Sequence, residues 1–156
     1  MKGNEKLLAA LNELLADELT AISQYMVHAE MCANWGYQRL HQAIESQARD
    51  EMHHAEWLIQ RIIFLEGAPV VSKLNPMRIG QTASDMIGND EQAELSAVRA
   101  YNAGIRLAHE VDDQASVELL TKILTMEEGH VDWGEAQRDQ IEQMGLENYL
   151  AAQIGG

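Results

Sequence analysis

Six residues of this chain combine donor chemistry with a repeated spacing. Glu51 is followed after three residues by His54, and Glu127 after three residues by His130. A further glutamate stands 33 residues before each pair, Glu18 before Glu51 and Glu94 before Glu127. A shift of 76 therefore lays the first three residues on the second three, and it also lays Tyr25 on Tyr101 and Trp57 on Trp133. On a helix, residues three apart share a face about one turn apart, so each Glu-x-x-His offers carboxylate oxygens and an imidazole nitrogen to one point. Four carboxylates and two imidazoles form a mostly hard, oxygen-rich donor set, which suits iron or manganese and disfavours Cu(I) and structural zinc. Two divalent ions bring four positive charges to match four glutamates. Glu51 and Glu127, beside their histidines, are expected to bridge such ions, and Glu18 and Glu94 to terminate them.

These glutamates interrupt apolar stripes. Glu18 lies seven residues from both Leu11 and Tyr25, Glu94 seven before Tyr101, and Glu127 seven after Leu120, while Glu51 falls between Ala48 and Ala55. Residues seven apart share a helix face, so all four carboxylates should point inward. A buried carboxylate costs several kcal/mol or takes a raised pKa, and four together repel one another. A cationic occupant is the natural resolution.

The elements that carry the donors are helices. Apolar residues recur at helical spacing from an Asn4 cap to Asn34-Trp35-Gly36, from about 39 to 65, from near Thr82 to Asp112-Asp113, and on to about Met144. Residues 146–152 read as a short fifth helix. Gly67 and Pro69 are expected to stop the second helix. Short links make helices one and two a hairpin, and three and four another. The connector 66–81 is different: about 16 residues reach up to ~50 Å extended, and a 27-residue helix is about 40 Å long. It can cross the bundle end to end, leaving helices two and three parallel. The expected fold is all-α, a four-helix bundle with one long crossover and a short C-terminal helix, in a single domain over 1–156.

Composition narrows the function classes. Among 156 residues there are 25 acidic and 11 basic side chains, a formal charge of −14. Such a surface attracts cations and repels nucleic acid and anionic membranes. One cysteine, Cys32, excludes an internal disulfide and Cys-rich metal sites. No apolar run approaches the ~18 residues of a membrane span, and no secretory signal is visible behind Met1-Lys2-Gly3. A cytoplasmic protein with neither nucleic-acid nor membrane partners is expected.

A Glu from each of two helices and Glu-x-x-His from the other two is the established ligand arrangement of ferritin-like di-metal bundles. The sequence resembles a bacterioferritin over nearly its full length, on Glu18, Tyr25, Glu51-Met52-His53-His54, Glu94, Glu127-Glu128-Gly129-His130, the Met1-Lys2-Gly3 start and the short last helix. The resemblance implies a hollow shell of twenty-four subunits that oxidises Fe(II) at a di-iron ferroxidase centre in each subunit and stores the ferric mineral. It implies two Fe ions per subunit, and haem b at the two-fold interface held by Met52 of both partners. It also implies O2 or H2O2 as oxidant, a ferredoxin for iron release, and an ion pore lined by Asn34, Glu66, Asp132 and Asp139. Two positions depart from the pattern of some relatives. Ser46 replaces a histidine of an inner-surface iron site that also uses Asp50, and Glu45 replaces an aromatic residue beside the haem, where Arg49 could contact a propionate.

Plainer roles stand beside these. Met52 could simply fill an interface gap. Tyr25 and Tyr101 could be core tyrosines bonded to a ligand carboxylate, although Tyr25 could also donate one electron during oxygen reduction. Trp57 and Trp133 are expected to pack. His28, His41, His53 and His109 are expected at the surface or an interface. Asp50 and Asp90, one turn before His54 and Glu94, are candidates to hold the second nitrogens of the ligand histidines. The rival functions are a di-iron peroxidase or catalase-like enzyme on the same bundle, and a non-catalytic haem-binding electron-transfer bundle.

Overall fold

The computed structural model describes residues 1–155. Its helices are α1 (Glu5–Asn34), α2 (Gln38–Phe64), α3 (Ala83–Glu110), α4 (Gln114–Met144) and α5 (Leu146–Gln153). There is no strand among the described residues. The architecture is the all-helical, ferritin-like one expected from the periodicity.

Side-chain caps set three of the helix starts. Asn4 Oδ1 accepts from the N–H groups of Lys6 and Leu7 at 2.9 and 3.1 Å. Thr82 Oγ1 accepts from Asp85 N–H at 3.1 Å, and Asp113 Oδ1 from Ser116 N–H at 3.0 Å. Each satisfies a backbone donor that the first helical turn leaves free. The stop of α2 differs in detail from the sequence expectation, because the left-handed residue is Glu66, φ +63°, and not the glycine after it. The turn is closed by Glu66 N–H donating to Ile63 O at 3.0 Å and Gly67 N–H to Ile62 O at 2.9 Å. A Cβ at Gly67 would lie 2.6 Å from Leu8 Cδ2, so a larger residue there would have to displace the Leu8 side chain.

The crossover is laced to α1. The Asn12 amide donates to Ala68 O at 3.1 Å, and its Oδ1 accepts from Val70 N–H at 2.8 Å. Further along, Asn75 N–H donates to Thr20 Oγ1 at 2.8 Å, and the Asn75 amide donates to Asp17 Oδ1 at 2.7 Å. Arg78 N–H then meets Gln24 Oε1 at 3.0 Å, and Gly80 N–H meets His28 Nε2 at 2.9 Å. As the connector advances from 68 to 80, its partners advance from 12 to 28, so it runs beside α1 in the same direction for about 24 Å. It delivers the chain to the end of the bundle where α2 also begins, which makes α2 and α3 parallel. Gly80 is needed at the landing point, since a Cβ would sit 2.6 Å from Met86 N.

The hairpins α1–α2 and α3–α4 face each other through α1 against α3 and α2 against α4. Two apolar clusters fill the interior. One gathers Leu7, Leu11, Leu14, Leu58, Ile62, Leu120 and Ile123, and the other Tyr25, Leu40, Ile44, Met86, Ile87 and Tyr149. The α5 helix joins the second cluster through Tyr149, whose hydroxyl donates to Gln137 Oε1 at 2.6 Å. Between the clusters, at mid-helix, lie Glu18, Glu51, Glu94 and Glu127.

Candidate metal centre

Each of the four main helices delivers its donors to the layer between the two apolar clusters. Glu18 comes from α1, Glu51 and His54 from α2, Glu94 from α3, and Glu127 and His130 from α4. All six residues are buried, and none is more than 8 % exposed. They form two overlapping groups, Glu18–Glu51–His54–Glu127 and Glu51–Glu94–Glu127–His130. Within each group one donor atom per residue lies within 4.8 Å of all the others. Glu51 and Glu127 belong to both groups, and Glu18 and Glu94 to one each.

The imidazoles turn the same nitrogen inward. His54 Nδ1 lies 3.3–3.5 Å from Glu18, Glu51 and Glu127 oxygens, and His130 Nδ1 lies 3.2–3.4 Å from Glu94, Glu51 and Glu127 oxygens. Their outer nitrogens differ. His130 Nε2 is 2.9 Å from Asp50 Oδ2, whereas His54 Nε2 is 3.3 Å from Met126 Sδ. Asp50 thus takes the expected orienting role, but for the histidine of the opposite half of the repeat. Asp90 does not take it. Its Oδ1 accepts from the Gln24 amide and from His28 Nδ1, both at 2.8 Å.

That bond corrects the expectation for His28, which is fully buried rather than at a surface. The crossover covers it and uses its other nitrogen as an acceptor. His41 is partly buried, with Nδ1 donating to Ala29 O at 2.8 Å. His53 and His109 are exposed, as expected. Glu91 on α3 is a buried acid that the sequence reading passed over; Arg138 NH1 meets it at 2.6 Å. Its signal was the Arg138 partner, which is remote in sequence.

The electrostatics of the cluster are those of a site built for cations. Glu18 Oε2, Glu51 Oε1, Glu94 Oε2, both Glu127 oxygens and His54 Nδ1 are buried with no hydrogen-bond partner. Burial pushes Glu18 up, and it pushes Glu51 well up, helped by the charges of Glu18 and Glu94. Glu94 rises to about 7, chiefly through burial. Burial works the same way on Glu127, but the nearby His130, Glu51 and His54 outweigh it and hold Glu127 below its ordinary value. Burial lowers His130, yet its bonds to Glu127 and Glu94 lift it to about 11. A site this rich in unpaired oxygens is expensive when empty of positive charge.

Two tyrosines complete the layer. Tyr25 Oη donates to Glu94 Oε1 at 2.5 Å, and Tyr101 Oη to Glu18 Oε1 at 2.6 Å. A cavity of about 410 Å³ opens between α1 and α3 beneath the crossover and reaches Glu18, Glu51 and Glu94. Trp57 packs beside His54, with Lys122 Nζ 3.9 Å from its ring centroid.

Met52 lies apart, 46 % exposed. It borders a cavity of about 290 Å³ walled by Ile22, Met26, Ala29 and Ala48, with Glu30, Glu45 and Arg49 at its rim. Arg49 is engaged by Glu45 Oε1 at 3.0 Å. Asn34, Glu66, Asp132 and Asp139 are all exposed. No helix among the described residues is long and apolar enough to cross a membrane.

The chain matches the family described as Ferritin-like domain over residues 8–144. It is 39 % identical over 155 residues to "Bacterial ferritin" of Synechocystis sp., covering 99 % of both chains. It is 38 % identical over 149 residues to "Bacterioferritin" of Brucella melitensis biotype 1, covering 96 % of this chain and 92 % of that one. It is 37 % identical over 154 residues to "Bacterioferritin" of Streptomyces coelicolor, covering 99 % and 92 % respectively. Coverage this complete, at these identities and on this fold, means that the chain belongs to the bacterioferritin family of ferritin-like proteins.

Proposed function

We propose that this chain is an iron store that binds Fe(II), oxidises it to Fe(III) at a di-iron ferroxidase centre, and holds the product inside a shell of twenty-four copies. The observation that carries the reading is the set of buried, partnerless carboxylate oxygens facing two imidazole nitrogens. The donors suit iron, being oxygen-rich with one imidazole per ion. Glu18 and His54 would hold one ion and Glu94 and His130 the other, with Glu51 and Glu127 shared between them. Iron supplies the one-electron redox chemistry at this centre.

The protein's contribution is geometry and protons. Asp50 accepts from His130 Nε2 and so fixes the ring with Nδ1 turned inward, the nitrogen that would exchange its proton for a metal ion. The cavity beneath the crossover offers small solutes such as Fe(II), O2 or H2O2 a path toward Glu18 and Glu94. Tyr25 is the proposed one-electron donor. Burial raises its phenol well above 10, so it stays protonated. Loss of an electron to the oxidant, O2 or H2O2, would release its proton to Glu94 Oε1, 2.5 Å away.

Met52 is proposed to hold haem b at the interface of a two-fold dimer. The fit rests on an exposed thioether set in an apolar wall of Ile22, Met26, Ala29 and Ala48. The same face carries exposed Val27 and Trp35, apolar surface that a second copy would bury. A ferredoxin is the proposed electron source for iron release, and the cytoplasm the proposed location.

The test adds Fe(II) in air to the wild type and to the Glu18→Ala and Glu127→Ala variants, following ferric absorbance. Fast oxidation should disappear in both variants, while size-exclusion chromatography still returns a cage-sized particle. Unchanged rates in both would refute the centre. A compact monomer or dimer would turn the reading toward a di-iron peroxidase.

A further inference from the structure

We propose that Glu30, His41 and Glu45 form a separate binding site for a divalent transition-metal ion on the face shared by α1 and α2. One donor atom from each residue lies within 4.8 Å of the other two, and none of the three belongs to the inner cluster. Two further features distinguish this group from an ordinary patch of surface acids.

The first is the orientation of the imidazole. His41 Nδ1 lies 2.8 Å from the Ala29 carbonyl oxygen, which can only accept, so Nδ1 carries the proton. That leaves Nε2 as the ring nitrogen available to a metal ion. That nitrogen faces Glu45 Oε2 at 3.5 Å. That separation is longer than a good direct hydrogen bond and leaves room for an ion bound to both. A backbone carbonyl bonded to one ring nitrogen is a standard way of orienting the other for a metal. The second feature is the spacing. Two ligand atoms at metal distances of about 2.1 Å and a tetrahedral angle lie about 3.4 Å apart, close to the separation found here.

The surroundings fit. Arg49 engages Glu45 Oε1 at 3.0 Å, which fixes the carboxylate and leaves Oε2 for the ion. The α1 turn that orients His41 through Ala29 also supplies Glu30, the next residue. One imidazole with two carboxylates selects Zn(II), Co(II), Fe(II) or Mn(II) over Mg(II) and Ca(II). The side chains of His41 and Glu45 are 18 % and 37 % exposed, so water can fill the remaining positions. An ion here also neutralises the two carboxylates that border the Met52 cavity.

Crystals of the full chain soaked in Zn(II), with data collected on both sides of the zinc edge, test the site. The wild type should show an anomalous peak about 2.0–2.3 Å from His41 Nε2 and a Glu45 oxygen. His41→Ala should lose that peak and keep those at the inner cluster. In solution, His41→Ala and Glu30→Gln should each retain one fewer Zn(II) per chain after desalting. No peak in the wild type, a peak touching one residue only, or an unchanged zinc count in both variants would overturn the proposal. An outer peak without inner ones would support this site and refute the ferroxidase reading.

Discussion

Tyr25 on α1 donates to Glu94 on α3 at 2.5 Å, and 76 residues later Tyr101 returns the contact to Glu18 at 2.6 Å. Each half of the repeat thus supplies the donor that orients the other half's glutamate. Burial holds both phenols well above 10, so both remain donors. A hydrogen bond to a charged acceptor contributes about 1.5–3 kcal/mol, roughly ten- to a hundredfold. Tyr25→Phe and Tyr101→Phe should weaken Co(II) binding by comparable factors, toward the lower end because the ion compensates its carboxylate. Optical titration of Co(II) reads this directly. Only Tyr25→Phe should abolish a tyrosyl radical during Fe(II) oxidation. A radical of unchanged intensity there would confine Tyr25 to orienting Glu94.

The metal-free protein should lose stability as pH rises. Glu94 ionises at about 7 in the fold against 4.5 ordinarily, so the stability from its protonated form is present below 4.5 and lost as pH rises through 7. His130, raised to about 11 from 6.5, contributes below 6.5 and loses that contribution toward 11. Glu18 and Glu51, both raised, act in the same sense as Glu94. Glu127 is lowered, so its effect falls below 4.5 and opposes nothing above it. Thermal melts of chelator-treated protein should show Tm falling by several degrees from pH 5.5 to 8.5. Saturating Co(II) should reverse the trend, because bound metal displaces the protons and stabilises only the folded state. A metal-free Tm that rises with pH would contradict the electrostatics of the cluster.

The six clustered residues were legible because an inward-facing polar layer imposes a periodic signature. Each glutamate breaks an apolar stripe at a stripe position, and the shift of 76 repeats the break. Helix ends were legible where a side chain caps them, as at Asn4, Thr82 and Asp113. The stop of α2 was read to the glycine rather than to Glu66, because a glutamate carries no local signal for the left-handed conformation it takes there. Blindness to long-range pairing assigned Asp50 to its own helix. Sequence spacing puts Asp50 one turn from His54, but side-chain direction sends it across to His130 on α4. His28 was missed because its partners, Asp90 and Gly80 N–H, come from α3 and from an aperiodic connector.

His28 should therefore matter for the crossover rather than for the iron chemistry. Its removal leaves Gly80 N–H without its acceptor and takes one of two donors from the buried Asp90. Stranding a buried polar group costs about 1–3 kcal/mol each, so His28→Ala should destabilise by about 2–4 kcal/mol. Asp90→Ala should act through the same network and add less than its full effect on top of His28→Ala. Denaturant melts of the two single variants and the double variant measure this. Full additivity would mean that the two residues do not share a network.

The unequal outer partners of the two histidines predict unequal iron sites. A carboxylate on the outer nitrogen raises the basicity of the imidazole and fixes its ring, and losing such a partner typically costs 10–100-fold in metal affinity. His130 has that partner in Asp50 at 2.9 Å, whereas His54 has the weakly accepting Met126 Sδ at 3.3 Å. Co(II) should fill the centre in two steps, with the tighter ion on His130. Asp50→Ala should weaken the tight step by at least tenfold and bring the two affinities together. Met126→Leu removes only a poor acceptor and should leave both steps nearly unchanged. If Asp50→Ala instead weakens the looser step, the tighter ion sits with His54 and the assignment of the two sites is reversed.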